Sequence, residues 1–168
     1  MKKITNVFIV VIAFIFTLSV SAFAQSSDTQ PVRLGIGLSL GVPTNDAYDF
    51  AIGGDLRLQK DFSKEVSGMI SVGYTDFSAK NSLNSSLGFI PVKAGAKFFV
   101  GEGTYLGAEL GAGFGTKSGS KTSFLWSPSV GHAWSNGLDL SLRYEGASID
   151  NIPSPNQVAL RIAYGFKL

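Results

Sequence analysis

Between Val32 and Leu168 apolar side chains return at every second residue, in eight successive stretches. Leu34, Ile36, Leu38, Leu40 and Val42 form the first. Phe50, Ile52, Leu56 and Leu58 follow, then Val66, Ile70, Val72 and Tyr74. Three further sets run through Ile90–Phe98, Leu106–Phe114 and Phe124–Val130, a seventh through Leu138–Tyr144, and Val158, Leu160, Ile162, Tyr164 and Phe166 close the series. Alternation sustained over ~10 residues belongs to a β-strand whose two faces meet different surroundings. No stretch after residue 31 carries helical spacing of comparable length, so the spacing predicts an all-β chain. Charges obey the same parity. Within the strands, Arg33, Asp49, Asp55, Arg57, Lys93, Lys97, Glu109, Asp139, Arg143, Glu145, Arg161 and Lys167 all stand at odd positions, opposite in parity to the apolar sets. The even-numbered charges (Asp28, Asp46, Lys60, Lys64, Asp76, Lys80, Glu102, Asp150) fall in the lead-in or the connections.

Alternation alone does not say which face points outward. A soluble lipocalin-like barrel puts the apolar face inside, and a membrane barrel puts it outside. Volume separates the two. The odd face carries Gly35, Gly37, Gly41, Gly53, Gly73, Gly95, Gly107, Gly111, Gly113 and Gly131, with Ser39, Ser71, Ser127, Ser129 and Ser141. Small side chains suit the narrow interior of an eight-stranded barrel, whereas so many glycines on a solvent face would weaken the strands without a packing reason. Aromatic residues gather towards the strand ends. Phe62, Phe98, Tyr105, Trp134 and Phe166 lie at one end, and Tyr48, Phe50, Tyr74, Phe114, Phe124 and Tyr144 at the other, as rings seeking two membrane interfaces would. The expected fold is an eight-stranded antiparallel up-and-down transmembrane β-barrel.

The N-terminus is consistent with export. Met1-Lys2-Lys3 is a positive start, Val7 to Phe16 is almost wholly apolar, and the segment ends Ala22-Phe23-Ala24. This order describes a secretory signal peptide over 1–24, cut after Ala24; the alternative is an uncleaved anchor. A polar periplasmic lead-in follows over 25–31, then the barrel domain over 32–168. Loss of Lys2 and Lys3 leaves Lys+Arg equal to Asp+Glu, and a neutral chain has no basic stripe for nucleic acid. The absence of Cys excludes disulfides, thiolate metal sites and a lipid-modified N-terminal Cys.

Connections 43–47, 75–86, 115–121 and 146–157 fall at one end of the barrel. The connection 59–65 and the tight turns Gly101-Glu102-Gly103 and Ser135-Asn136-Gly137 fall at the other. With both termini periplasmic, the tight turns face the periplasm and the longer loops face outward. The 59–65 connection is long enough for a flanking strand to extend into it. Pro91 and Pro128 sit inside predicted strands, where each removes a ladder donor, and bulges with a local slip of parity are expected there.

The run Gly88-Phe89-Ile90-Pro91-Val92-Lys93-Ala94-Gly95-Ala96-Lys97-Phe98-Phe99, followed by Gly103-Thr104-Tyr105-Leu106-Gly107-Ala108-Glu109-Leu110-Gly111, resembles the small outer membrane β-barrel domain proteins common in Bacteroidetes. These are related in architecture to the OmpA-type membrane domain. The end, Arg161 through Phe166 to Leu168, is similar to the signal read by the barrel-insertion machinery. It departs from that signal with Ala163 where Gly is usual and Leu168 where a terminal aromatic is usual. The resemblance implies fold, outer-membrane location and, as partners, outer-membrane lipid and that machinery during biogenesis. It implies no particular activity.

In so narrow a lumen the odd-face charges must pair. The candidate network is Arg33, Asp55, Arg57, Lys93, Lys97, Glu109, Asp139, Arg143, Glu145 and Arg161. Glu109 is expected opposite Gly95, diagonal to Lys93 and Lys97, in a Lys93–Glu109–Lys97 cluster. Asp55 with Arg57, and Arg143 with Asp139 or Glu145, are expected as further pairs. Such a network either lines a polar channel or plugs the barrel; the width of eight strands favours the plug. His132 is the only histidine. His132-Ala133-Trp134-Ser135-Asn136 has a likeness to the His-x-Ser-Asn stretch of outer-membrane lipid A deacylases. Here, however, the Ser is one residue too far along, and the adjacent turn is on the periplasmic side, so an interfacial His beside Trp134 is the plainer reading. No catalytic residue, metal site or cofactor is expected. The function expected is a non-enzymatic outer-membrane barrel with a structural or surface-contact role, the loop 146–157 with Pro153 and Pro155 being the candidate contact. A narrow pore or hydrophobic-ligand conduit, and a lipid A-modifying enzyme, are the alternatives.

Overall fold

The computed structural model describes residues 31–80, 86–117, 122–148 and 154–168. The expected signal peptide, most of the lead-in and Pro153 lie outside these residues. Eight strands follow in chain order: β1 (Val32–Pro43), β2 (Tyr48–Asp61), β3 (Val66–Ala79), β4 (Leu87–Phe99), β5 (Thr104–Gly115), β6 (Thr122–Ala133), β7 (Leu138–Ser148) and β8 (Gln157–Lys167). Each pairs antiparallel with its neighbour, and β8 returns to β1, closing the barrel. Closure leaves no free sheet edge, so the backbone donors and acceptors of the wall are satisfied by neighbouring strands, as a bilayer demands.

The apolar sets face outward. Leu38, Leu40 and Leu142 are 63%, 64% and 50% exposed, while Ser141, Arg143 and Arg161 between or opposite them are 4%, 6% and 1% exposed. A soluble carrier would show the inverse, so burial settles the orientation in favour of a membrane barrel.

The turn end carries three short connections. The link between β2 and β3 is only 62–65, because β2 runs on to Asp61. Gly103 and Gly137 adopt φ of 83° and 98°, a left-handed backbone that glycine reaches without strain. At the other end, the loop end, strands outlast the expected connections, with β3 reaching Ala79.

The two prolines do not displace the register. Pro91 stays opposite Gly113 and Pro128 opposite Ala108. On the far side, the β3–β4 ladder omits Gly73 and Tyr74 and then resumes unshifted at Thr75–Phe89, and the β6–β7 ladder likewise resumes at Ser129–Arg143. A proline lacks one donor towards one neighbour only, so the cost is a local gap instead of the expected bulge. The register shift lies in β2, between Tyr48 and Phe50. It turns Tyr48 inward, where its ring meets Phe77 edge-on at 5.5 Å.

Candidate functional site: the lumen

Odd-numbered residues converge on the barrel axis, and their charges brace the wall across it. Arg57 of β2 reaches Glu109 of β5 at 3.1 Å, and Ser71 donates its hydroxyl to the same carboxylate at 2.7 Å. Lys93 of β4 meets Glu145 of β7 at 3.1 Å. Arg143 approaches Glu145 at 3.4 Å and donates through Nη2 to Ser39 Oγ of β1 at 3.1 Å. Lys97 of β4 pairs with Asp139 of β7, which also accepts from the Tyr105 hydroxyl at 2.7 Å. Lys97 Nζ lies 4.2 Å above the Tyr105 ring. Arg161 of β8 holds Asp55 of β2 through two nitrogens, at 2.8 and 2.5 Å. At the turn end Arg33 pairs with Asp61 at 3.3 Å and remains partly exposed.

Register and partners part company here. Glu109 does stand opposite Gly95, yet the Lys93–Glu109–Lys97 cluster does not form. Each lysine crosses to β7, and Glu109 crosses to β2. Asp55 likewise takes Arg161 instead of Arg57. In a closed narrow cylinder inward side chains extend towards the axis. A partner across the lumen then lies as near as a diagonal neighbour on the adjacent strand, and it allows a straighter approach. Of the expected local pairs, Arg143 with Glu145 is the one present.

Glycines make room for these braces. A Cβ at Gly37 would lie 2.6 Å from Arg161 Cζ, and one at Gly131 would lie 2.6 Å from the Tyr105 ring. Gly37 and Gly131 are therefore sockets for the long side chains of Arg161 and Tyr105.

The lumen also holds apolar residues that the charge and glycine parity passed over. Ala51, Phe77 and Phe89 form a buried cluster at the loop end, with Tyr48 and Leu87 against it. Leu125 and Ala147 are buried at the same end. Pro155 is buried beside them, lining a residual cavity of only about 10 Å³ with Phe77, Phe89 and Leu125. The residues on either side of it are tied down: Thr44 donates its amide to Asn156 O at 2.8 Å, Asn45 donates its side-chain amide to Ser154 O at 2.8 Å, and Ala147 donates its amide to Asn156 Oδ1 at 2.9 Å. Pro155 thus faces the lumen and is not offered to a surface partner. Tyr105 is also inside, 1% exposed, and not in the outer aromatic band.

His132 stands at the turn end, its Nδ1 3.0 Å from Thr104 Oγ1 and its ring 4.5 Å from that of Trp134. Neither Ser135 nor any carboxylate is among these partners.

A family model described as outer membrane protein beta-barrel domain matches residues 10–166. No curated protein matches the sequence. Among solved structures, the Yersinia pestis outer membrane protein Ail in a phospholipid bilayer nanodisc is 19% identical, with a TM-score of 0.60 over 82% of this chain and 100% of that one. The N-terminal β-barrel domain of Pseudomonas aeruginosa OprF is 12% identical, with a TM-score of 0.58 over 82% of this chain and 100% of that domain. A de novo designed transmembrane β-barrel is 19% identical, with a TM-score of 0.55 over 82% and 98% of the two chains. At such identities the likeness carries the fold.

Proposed function

We infer that this chain, which belongs to the family of outer membrane protein β-barrel domains, is a closed, non-conducting barrel with a structural or surface-contact role and no chemistry of its own. Its cleaved signal peptide ends near Ala24, its turn end faces the periplasm, and its loops face outward. Outer-membrane lipid covers the aliphatic belt, and the barrel-insertion machinery reads the C-terminal strand.

The observation that carries this reading is the double obstruction of the lumen. Ion pairs cross it between non-adjacent strands, and an apolar cluster around Phe77 and Phe89 seals the loop end. An ion passing through would have to break buried pairs and then desolvate against hydrocarbon, two steps that each cost several kcal/mol. The test is planar-bilayer recording of protein whose folding is verified by heat-modifiable gel migration. No steady conductance is expected. Reproducible single-channel steps would overturn the closed-barrel reading in favour of a pore.

A further inference from the structure

The wall of the barrel is not uniformly stitched. Among the described residues, the ladders β1–β2, β1–β8, β4–β5, β5–β6 and β7–β8 run without a gap. The β2–β3 ladder shifts only at its end, between Tyr48 and Phe50. The β3–β4 and β6–β7 ladders are interrupted within their length, one at Gly73 and Tyr74, the other at Ser127 and Pro128. Pro91 and Pro128 keep their partners on β5, Gly113 and Ala108, so the donor that each lacks points away from β5. The strands β4, β5 and β6 are therefore a continuous panel, and the broken seams are its two outer edges.

The ion pairs divide along the same lines. Arg33–Asp61, Arg143–Glu145 and Arg161–Asp55 lie within the other five strands. Arg57–Glu109, Lys93–Glu145 and Lys97–Asp139 each join the panel to those strands, and none of these pairs lies inside the panel. Each broken seam is also crossed on the lipid face by an aromatic side chain lying over a glycine of the facing strand. A Cβ at Gly88 of β4 would lie 2.6 Å from the Tyr74 hydroxyl of β3, and one at Gly146 of β7 would lie 2.6 Å from Trp126 Cζ2 of β6. The Trp126 ring also meets that of Tyr144 on β7 at 5.1 Å. Inside, Phe77 of β3 meets Phe89 of β4 edge-on at 6.1 Å, so the loop-end seal itself straddles a seam. A seam with a gap opens in two short pieces, whereas a continuous ladder must open whole, and in hydrocarbon each broken backbone bond is costly.

We propose that β4, β5 and β6 move as one panel against the other five strands, loosening both proline-broken seams together while the remaining ladders stay closed. Tyr74 and Trp126 are the latches. In a closed ring a rigid sector cannot shift along one edge without shifting along the other, so the two seams are coupled. The movement parts Phe77 from Phe89 and loosens the seal. It goes beyond the closed-barrel reading, which describes the resting position, and it stands whether or not that resting barrel conducts.

The test is amide hydrogen exchange, read residue by residue by NMR on the refolded full barrel in bicelles. Amides bonded across β3–β4 and β6–β7 are expected to exchange about tenfold or more faster than those across β1–β8 and β4–β5. The chain has no cysteine, so a disulfide can lock one seam alone. Val72→Cys/Val92→Cys joins register partners across β3–β4, which antiparallel pairing brings close enough for the bond. On oxidation it should slow exchange across the distant β6–β7 seam about fivefold or more, and reduction should restore it. Leu38→Cys/Ile162→Cys, which joins β1 to β8, should leave both seams unchanged. Trp126→Leu removes one latch and should speed exchange at both seams about fivefold, the factor such a ring contact is worth. Equal exchange in all ladders, or a lock or latch variant that alters only its own seam, would overturn the proposal in favour of separate fraying beside each proline. Should the double cysteine variant fail to fold or to oxidise, the parent pattern and Trp126→Leu decide.

Discussion

Glu109→Gln separates charge from shape at the centre of the lumen. Glutamine keeps the volume and can still accept from Ser71, whose hydroxyl lies 2.7 Å from the carboxylate. What it removes is the negative charge 3.1 Å from Arg57 Nη2. At an effective dielectric of ~20 that pair is worth about 5 kcal/mol of attraction. With Arg57 and Glu109 only 6% and 3% exposed, little water is available to resolvate an abandoned guanidinium. Breaking one side of a buried pair costs about 3–5 kcal/mol, and that range is expected for Glu109→Gln. The double variant Arg57→Gln/Glu109→Gln leaves no orphaned charge and should return to within about 1–2 kcal/mol of the parent, recovering about 2–3 kcal/mol of the loss in Glu109→Gln. Urea titration in detergent or thin bilayers, followed by loss of the heat-modifiable band, measures all the variants. If Glu109→Gln costs less than about 1 kcal/mol, as a solvated surface pair would, or if the double variant equals the sum of its singles, then the lumen is wet and screened and the brace argument fails.

Close backbone approach at a lumen glycine makes a second prediction. A Cβ at Gly95 would overlap the Ala108 carbonyl and come within 2.7 Å of Glu109 Cα, both backbone groups of the paired strand, so Gly95→Ala should abolish the folded band; at Gly35 the nearest atom is 3.6 Å away, and Gly35→Ala should fold within about 1 kcal/mol of the parent. Because the chain has no cysteine, single-cysteine labelling reads orientation directly. A spin label at Leu142→Cys should be relaxed by lipid-dissolved oxygen, and Ser141→Cys should resist a water-soluble maleimide until the barrel is unfolded; the reverse pattern would place the faces the other way.

Strand number, closure, register and the outward face were legible in the sequence because all follow from one period. Apolar side chains on the even face and charges on the odd admit no other arrangement in hydrocarbon. The register of Gly95 with Glu109 followed from the tight turn at Gly101–Gly103. The partners of the lumen charges did not follow, because pairing rules describe neighbours on a sheet, whereas a narrow cylinder brings β2 against β5 and β4 against β7 through its axis. The apolar seal was legible in principle. Phe77, Phe89 and Leu125 are odd-numbered, and parity alone places them inside. Tyr48 defeats parity, since the shift between it and Phe50 reverses its side and nothing local in the sequence marks the position. Pro155 was informative as a stiffener, but which way it pointed depended on hydrogen bonds from Thr44 and Asn45, more than a hundred residues away.

The clasp between Arg161 and Asp55 joins the last strand to the second, straddling the first where Gly37 leaves the space. Sealing the seam and neutralising Asp55 are accordingly one event. A chain that stops short of β8 exposes an open hydrogen-bonding edge and also leaves the inward-facing Asp55 without its Arg161 partner. The final strand therefore acts as an electrostatic proofreader, and a cylinder assembled with one stave missing is penalised twice.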